Sequence, residues 1–291
     1  MIIVKLQGGL GNQLFQYALG KTIEKKYNKK VKFDVSSFVS QKKFTPRAYL
    51  LNKFKTEIKI ASDKEITKTK YTFGIFSRIS CSTKKALNKF IFKKYHISYE
   101  PDFLESIKNK DSACLEGYWQ SFRYVEPCID ELRKELVLKD DQSVLFKNTT
   151  EEILKGESVA VHIRRGDYLN AGADLSVLDI SYYEMAHNFL SQKLKNIHYY
   201  IFTDDVVWAK ENLLFLGEEN VTYISGLGLS DYEEFLLMAK CKNVIIANSS
   251  FSWWGAMLND YKDAIIVCPK DWRNALLEND EHLCPERWVR I

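Results

Sequence analysis

A regular alternation of short apolar runs and helical patterns constrains the fold of this 291-residue chain more than any other feature. Such alternation is typical of parallel sheets whose strands are joined by crossover helices. The first half predicts strands near residues 2–6, 31–35 and 113–118, and helices near 12–27 and 121–136. The second half predicts a complete doubly wound unit. Its strands are predicted near 158–164, 198–203, 221–225, 243–248 and 264–268, and its helices near 181–194, 206–213, 230–240 and 250–259.

The length and one polar segment predict the domain organisation. A chain of this size exceeds the usual single domain of roughly 100–200 residues, so we expect two domains. Residues 147–157 have the least core-like composition between the halves, which predicts a boundary near 155. We therefore expect an N-terminal domain over 1–155 and a C-terminal domain over 156–291. Two Rossmann-like α/β domains facing across a cleft would offer a usual place for a nucleotide ligand.

The composition is that of an ordinary globular protein, with 46% hydrophobic and 27% charged residues. The longest apolar runs are far shorter than the ~20 residues of a membrane helix. Since the N-terminal residues lack the pattern of a secretory signal, we expect a cytoplasmic protein. Six cysteines show no paired C-x-x-C spacing, which predicts reduced thiols and no structural zinc.

The net charge of +4 is distributed unevenly along the chain. Residues 42–94 contain thirteen lysines and two arginines against three acidic residues, so this segment is +12 and the remainder −8. A solvated basic surface is the simpler interpretation. The alternative hypothesis is peripheral contact with the inner face of the cytoplasmic membrane, because anionic headgroups attract each nearby basic side chain by about 1 kcal/mol. Undetectable binding to anionic liposomes at low salt would reject it. No nucleic-acid-binding motif accompanies the lysines, so nucleic acid is not an expected partner.

One strand-like run, residues 158–163, brings several charged groups to a single point. His162 lies within the run, and Arg164, Arg165 and Asp167 follow it directly. Parallel sheets bind ligands beyond the carboxyl ends of their strands, and a guanidinium fork matches the geometry of phosphate. The run therefore predicts a phosphate site in which Asp167 holds Arg164. A strand-end salt bridge on a solvated turn is the simpler alternative.

The first predicted strand ends in a glycine-rich turn over residues 7–13, which contains Gly9, Gly11 and Asn12. Glycines allow a sharp turn and close approach of a ligand to a helix N-terminus. The turn does not match G-x-G-x-x-G, which disfavours a dinucleotide site. Asn12 is either the cap of the following helix or a side chain directed into the cleft.

Three further segments carry polar groups at strand ends. Residues 117–122 contain aromatic and amide side chains, which indicate either core packing or a sugar-acceptor site. Asp204 and Asp205 follow another strand, where one can cap a helix and the other can approach a base or ribose. Residues 244–256 run from a strand through three serines into a helix, a pattern that predicts a neutral phosphate cradle.

Taken together, these segments resemble the bacterial α-1,2-fucosyltransferases of glycosyltransferase family 11. The motifs are residues 8–18, 162–167 and 249–256, and the central one is shared more loosely with α-1,6- and protein O-fucosyltransferases. The resemblance implies a GT-B fold, GDP-β-L-fucose as donor, inversion at the fucose anomeric carbon and no metal or other cofactor. The implied acceptor is a galactose-terminated oligosaccharide or lipid-linked glycan, as in O-antigen biosynthesis.

The resemblance also implies roles for individual residues. Arg164 would contact the β-phosphate, His162 would help at the diphosphate, and Asn12 would reach the β-phosphate or the fucose. The predicted catalytic set is Arg164, His162, Asp167 and Asn12. The predicted donor-binding set is Gly9, Gly11, Gln13, Arg165, Thr203, Asp204, Asp205, Ser249, Ser250, Phe251 and Ser252.

Several alternatives stay open at the level of the sequence. The general base is not identified: Asp34 and Glu116 are candidates in the first half, and His162 and Asp167 in the second. The alternative activities are fucosyl transfer of another linkage, α-1,6 or protein O-linked, and non-catalytic binding of a nucleotide sugar.

Overall fold

The computed structural model describes residues 1–39, 47–71, 101–166, 168–170, 177–272 and 282–291. These residues form two compact units, Met1–Lys139 and Asp140–Ile291. Each unit is built on a parallel β-sheet flanked by helices, which confirms the predicted α/β class.

The sheet of the first unit contains three parallel strands in the order β2-β1-β3. The central strand β1 is buried through Ile2, Ile3 and Val4, as its apolar run predicts. The strand bounds are β1 Ile2–Lys5, β2 Val31–Asp34 and β3 Ala113–Leu115.

The longest helix of the first unit, Leu10–Tyr27, packs against this sheet with most of its residues buried. The predicted helix over 121–136 is interrupted by a 3-10 turn, Glu126–Cys128, because Pro127 has no N–H to continue the helical hydrogen bonds. The helices described in this unit are α1 Leu10–Tyr27, α2 Asp63–Tyr71, α3 Pro101–Lys108, α4 Phe122–Val125 and α5 Ile129–Glu135.

The second unit contains a six-stranded parallel sheet in the order β6-β5-β4-β7-β8-β9. Numbered within the unit, this is the order 3-2-1-4-5-6 of doubly wound nucleotide-binding folds. The strand β4 lies at its centre, paired with β5 on one side and β7 on the other. The bounds are β4 Glu157–Ile163, β5 Ile197–Thr203, β6 Val221–Tyr223, β7 Asn243–Ile245, β8 Ile266–Cys268 and β9 Val289–Arg290.

The segment whose polar composition predicted a domain boundary lies largely in a helix. The helix α6 buries Phe146, Thr149 and Ile153, and Ser143 caps it by accepting from the Phe146 N–H at 3.0 Å. It belongs to the second unit, and the division falls before it rather than near residue 155. The helices described in this unit are α6 Val144–Lys155, α7 Ile180–Ser191, α8 Val206–Asn212, α9 Asp231–Lys240 and α10 Ser250–Leu258.

Two predictions fall partly or wholly outside the described residues. Asp167 is outside them, and so are residues 42–46 and 72–94 of the lysine-rich segment, so membrane contact stays a hypothesis. No helix in the described ranges combines the length and apolar character needed to cross a bilayer. The five cysteines within those ranges are buried free thiols: Cys114, Cys128, Cys241, Cys268 and Cys284.

Candidate functional site

The carboxyl ends of three adjacent strands converge in the second unit. The turns after β4, β5 and β7 lie at the same edge of the sheet, because the strands are parallel neighbours. From β4 the chain continues to β5 and β6 on one side of the sheet, and then adds β7, β8 and β9 on the other side. The strand order therefore reverses between β4 and β7, and doubly wound sheets bind ligands at such switch points. The charged turn 164–166, the aspartates at 204 and 205, and the serine turn 248–250 therefore meet at the switch point.

The Asp204 carboxylate organises the turn after β4. It accepts from the backbone N–H of Arg165 at 2.8 Å and of Gly166 at 3.1 Å. The Arg164 Nη1 atom lies 3.0 Å from Asp204 Oδ2. With three donors around it, Asp204 supports the turn, and its contact with a base or ribose stays a prediction. The carboxylate that holds Arg164 in the described structure thus comes from the neighbouring strand.

Arg164 lies at the tip of the central strand with its side chain 26% exposed. Its guanidinium is 5.7 Å from the centre of the Tyr168 ring, a cation–π contact. The Tyr168 hydroxyl donates to the Asn248 carbonyl at 3.0 Å, which joins the turn after β4 to the serine turn. A partly exposed guanidinium fixed on two sides is suited to binding an anion.

The Arg165 side chain contacts two other side chains of the protein. Its Nε atom lies 3.3 Å from Asp205 Oδ2, and its guanidinium stacks 4.1 Å from the centre of the Trp208 ring. The other Asp205 oxygen caps α8 by accepting from the Trp208 N–H at 3.1 Å. Arg165 and Asp205 therefore fix the start of α8, and a phosphate contact of Arg165 stays a prediction.

A chain of hydrogen bonds stabilises the carboxyl end of β5. The Thr203 N–H donates to Ser225 Oγ at 2.9 Å, and the Ser225 hydroxyl donates to Glu234 Oε2 at 2.6 Å. The Thr203 hydroxyl accepts from the Asp205 N–H at 3.0 Å. Burial raises the pKa of Glu234. The predicted donor-binding residue Thr203 is thus tied into the strand-end turns.

His162 is a buried neutral imidazole beside Arg164. Burial and the nearby Arg164 charge lower its pKa from 6.5 to about 3, so it is uncharged at neutral pH. Its ring lies 5.6 Å from the Phe251 ring, and its Nδ1 atom has no hydrogen-bond partner among the described residues. His162 can offer a neutral hydrogen bond to a ligand. At neutral pH it is therefore not a second cation beside Arg164.

The three predicted serines have three different roles at the start of α10. Ser249 is the N-cap and accepts from the Phe251 N–H at 3.3 Å. Ser252 is fully buried, and its hydroxyl contacts the Ala247 and Ser249 carbonyls. Ser250 is half-buried, and its hydroxyl forms no hydrogen bond with the described residues. Ser250 and the helix N-terminus are the groups that can receive a phosphate oxygen.

The first unit also presents polar groups beyond its strand ends. The helix α1 begins at Leu10 with Gly9 as its cap, so Asn12 lies inside the first turn and is not the cap. Asn12 Oδ1 accepts from Gln120 Nε2 at 2.8 Å. This contact fixes the orientation of the Asn12 amide, whose Nδ2 donors have no partner in the described part of the chain. Asn12 is thus set up as a hydrogen-bond donor.

The backbone around Asn12 is shaped for close approach. Gly8 has φ of +81°, and a Cβ there would lie 2.8 Å from Asn12 Nδ2. A Cβ on Gly9 would meet nothing within 4 Å, so the cap faces open space. Gly11 is buried in the first turn of α1. Trp119 has φ of +57° and is 2% exposed, which fixes the backbone that presents Gln120.

Gln13 supports the turn rather than presenting its amide to a ligand. It is fully buried, and its Nε2 donates to the Gly8 and Ala48 carbonyls, each at 2.9 Å. Its Oε1 accepts from the Leu50 N–H at 3.0 Å. Gln13 therefore ties residues 48–50 to the glycine-rich turn.

The two first-half candidates for a general base have structural contacts. Asp34 is fully buried and accepts from the Ser36 N–H at 2.9 Å. Glu116 forms an ion pair with Lys5. Over the described ranges, His, Cys, Asp and Glu side chains form no group of three or more that could hold a metal ion.

The sequence predicted which strand ends carry the site but missed several supporting residues. Tyr168, Trp208, Ser225 and Glu234 were not predicted, although Tyr168 follows the central motif directly and Trp208 lies three residues after Asp205. Their contacts join strands and helices that are not adjacent in the chain, and a single sequence does not reveal such contacts. For Tyr168 and Trp208, the signal in the sequence was their position close to a predicted residue.

Comparisons with known proteins agree with this architecture. The family model "Glycosyl transferase family 11" matches residues 1–291. Alpha-1,2-colitosyltransferase of Escherichia coli is 32% identical over 300 residues, covering 100% of this chain and 99% of that protein. O-antigen biosynthesis glycosyltransferase WbnK of Escherichia coli is 30% identical over 310 residues, covering 98% and 99%. Human galactoside alpha-(1,2)-fucosyltransferase 1 is 23% identical over 155 residues, covering 50% and 42%.

The fold has a counterpart among solved structures. Fucosyltransferase NodZ from Bradyrhizobium matches with a TM-score of 0.54 at 15% identity, over 88% of this chain and 92% of NodZ. At this identity the likeness concerns the fold, and it confirms the predicted GT-B class. The family match over all 291 residues and the two full-length relatives lead to one assignment: the chain belongs to glycosyltransferase family 11.

Proposed function

We propose that the chain transfers L-fucose from GDP-β-L-fucose to the 2-hydroxyl of a terminal galactose on a glycan. In this proposal the anomeric carbon is inverted and no metal ion takes part. Family membership supports sugar transfer, and the relatives named as alpha-1,2-transferases support the linkage. The single observation that carries the donor chemistry is Arg164, held by Asp204 at the switch point of a doubly wound sheet.

Arg164 acts in this proposal on the departing nucleotide. As the bond between fucose and the β-phosphate breaks, negative charge grows on the phosphate and the sugar becomes oxocarbenium-like. A cation already fixed near that oxygen stabilises the transition state more than the ground state. The Asp204 contact and the Tyr168 ring keep the guanidinium in place, so little reorganisation is needed during the reaction.

Neutral donors complete the proposed diphosphate site. The first turn of α10 contains no acidic residue, and its N–H groups and the Ser250 hydroxyl can bind phosphate oxygens. His162 adds a neutral hydrogen bond on the side of Phe251. The acceptor hydroxyl attacks the anomeric carbon from the face opposite the phosphate, and its proton leaves to a base or solvent. Asp167 stays a prediction for that step.

The donor sugar has a second candidate. The relative at 32% identity is named as a colitosyltransferase, and colitose lacks the 3-hydroxyl of fucose. A site built to hydrogen-bond a hydroxyl strongly rejects an analogue that lacks it. A site built for the analogue without the hydroxyl rejects the hydroxylated sugar less strongly. Comparing GDP-fucose with GDP-colitose as donors at equal concentration therefore decides between the two.

The direct test is an assay of GDP release from GDP-fucose with a panel of galactosides, with the product linkage determined by NMR. We expect release that depends on a terminal galactoside and an α-1,2 product. GDP binding without acceptor-dependent release would indicate a nucleotide-sugar-binding protein, and an α-1,6 or peptide-linked product would assign another fucosyltransferase activity. Either result would overturn the proposal.

A further inference from the structure

A polar groove lies at the edge of the second unit opposite the candidate active site. It has a volume of about 440 Å³, within the range of roughly 300–1,000 Å³ that is usual for small-ligand sites. Its lining comes from α6, from Gly156 and from the first residues of β4, β5 and β6. The lining residues are Asn148, Thr149, Glu152, Lys155, Gly156, Ser158, His198, Tyr200 and Thr222.

The strand register explains why polar side chains collect here. Ser158 pairs with His198, and Tyr200 pairs with Thr222, so these four side chains share one face of the sheet. Their neighbours Val159, Tyr199 and Ile201 point to the opposite face, where they belong to a hydrophobic core cluster. The end of this face that lines the groove is therefore polar, although α6 also buries Phe146 and Ile153.

Tyr200 provides a buried donor at the base of the groove. The residue is 6% exposed, yet its hydroxyl forms no hydrogen bond with any described residue. Burial raises its pKa to about 12, with a smaller effect of the Glu152 carboxylate, so the hydroxyl keeps its proton. Because Tyr200 lines the groove, a molecule bound there can hydrogen-bond to this hydroxyl.

His198 adds a second polar group with an aromatic face. Its Nε2 atom lies 2.8 Å from Thr222 Oγ1, and its ring lies 5.0 Å from the Tyr200 ring. Burial lowers the pKa of His198, so the ring is neutral above its ordinary value of 6.5. The two rings offer apolar edges beside hydroxyl and imidazole groups.

The charges of the lining balance. Glu152 and Lys155 form an ion pair with each other on α6, and the other lining side chains are neutral. A phosphate or a carboxylate would find no unpaired cation among these residues, and a cationic ligand would find no unpaired carboxylate. A ligand that carries many hydroxyl groups and no charge fits this lining, because it can exchange hydrogen bonds with Tyr200 and Asn148 and pack its C–H faces on the rings.

We propose that this groove binds a neutral segment of an oligosaccharide, at a distance from the site of sugar transfer. Ser158 lies six residues before Arg164 along β4, so roughly 20 Å of strand separates this end of the groove from the turn that holds Arg164. The groove would engage sugar units remote from the reacting end of a long glycan. The choice of a galactose-terminated ligand as probe rests on the proposed function, but the binding measurement does not require transfer.

The test uses the full chain with GDP present and a neutral galactose-terminated tetrasaccharide as probe. We expect the probe to shift the backbone amide NMR signals of Gly156, His198 and Thr222. Tyr200→Phe removes one neutral hydrogen bond of about 0.5–1.5 kcal/mol, so we expect it to weaken the binding reported by these shifts about two- to tenfold.

A blocking variant sharpens the test. Gly156 has an extended backbone, φ −133° and ψ −166°, and a Cβ there would meet nothing within 4 Å, so Gly156→Phe can fold and occupy the groove. The matched control is Leu154→Phe in α6. Leu154 is 49% exposed and does not line the groove. We expect Gly156→Phe to abolish the shifts at His198 and Thr222, and the control to keep them.

Absence of shifts at the groove amides with millimolar probe would overturn the inference, as would wild-type affinity in a folded Gly156→Phe variant. Transfer of fucose to lactose is measured separately with the same proteins and should be unchanged by Gly156→Phe. Failure of that transfer in the wild type counts against the proposed function and not against the groove.

Discussion

A single carboxylate determines the geometry of the candidate active site. Asp204 holds the Arg164 guanidinium and two backbone N–H groups of the turn that follows β4. The sequence predicted Arg164 at a strand end but assigned its support to Asp167. Pairing between strands distant in the chain cannot be read from one sequence, because it depends on strand order and register, and here these bring Asp204 to the turn.

Gln120 is expected to control what Asn12 offers to a ligand. In Gln120→Glu, the new carboxylate can only accept, so the Asn12 amide must rotate, donate to it and turn Oδ1 outward. If Asn12 donates to the anionic donor substrate, the loss of a hydrogen bond to a charged group costs about 1.5–3 kcal/mol. We expect the Kd for GDP-fucose, measured by calorimetry, to rise about 10- to 100-fold.

Gln120→Ala is the control for this prediction. It frees the Asn12 amide without imposing the wrong orientation, so we expect a smaller loss of affinity than in Gln120→Glu. Equal affinities of wild type and Gln120→Glu would remove Asn12 from the donor site.

His162 is expected to make the protein less stable in acid. Its pKa is about 3 in the folded state and near 6.5 when unfolded, so between these values the unfolded chain binds more protons. The free energy of unfolding should therefore fall as the pH drops below 6.5, with a contribution of up to about 1.4 kcal/mol per pH unit from this residue. In His162→Gln that contribution is absent.

Urea denaturation at several pH values between 7 and 4.5 measures the effect. We expect a shallower pH dependence in His162→Gln than in the wild type. His187→Gln serves as a comparison, because His187 is half-buried and its pKa is lowered by burial alone. Parallel curves for wild type and His162→Gln would show that this imidazole is not buried and neutral.

At the scale of elements, close packing of two helices positions the serine turn. Gly255 in α10 faces Met238 in α9, and a Cβ on Gly255 would lie 2.6 Å from the Met238 sulfur. Met238 is fully buried, and its Cγ would also lie 2.9 Å from that Cβ. Overpacking of this kind costs about 1–3 kcal/mol, so we expect Gly255→Ala to lower the free energy of unfolding by that amount in urea titrations.

Gly156→Ala is the matched glycine control. Its backbone is extended and its surroundings are open, so alanine there should leave stability unchanged or raise it by up to about 1 kcal/mol. If both alanine variants unfolded at the same urea concentration, the helix contact at Gly255 would not be as close as described.

The predictability of individual elements depended on how clearly their burial showed in the sequence. Strands with a run of buried apolar residues, such as β4 and β1, were predicted within one or two residues of their bounds. The helix α6 was missed because three buried residues, Phe146, Thr149 and Ile153, are spread among polar ones. The break in the helix after Val125 follows from Pro127, a signal that the prediction of one continuous helix overlooked.

For the whole molecule, the order of elements was more predictable than the contacts between them. Alternating strands and helices predicted two α/β units, and their ends predicted the residues that meet at the switch point. Which of those residues bind a ligand and which support a turn depended on contacts across the sheet. Arg165, Asp205 and Gln13, all predicted to bind the donor, also form contacts within the protein that the sequence did not predict.

The central claim is that a fixed guanidinium, rather than a metal ion, stabilises the departing nucleotide. Its most direct test is the turnover number for galactoside-dependent GDP release by wild type and Arg164→Ala, each with EDTA and with added Mg²⁺. We predict wild-type turnover that EDTA does not change, and a folded Arg164→Ala variant slowed by about 10²–10³, or roughly 3–4 kcal/mol, that Mg²⁺ does not restore. Turnover of Arg164→Ala within tenfold of wild type, or wild-type activity lost to EDTA and recovered with Mg²⁺, would contradict the account.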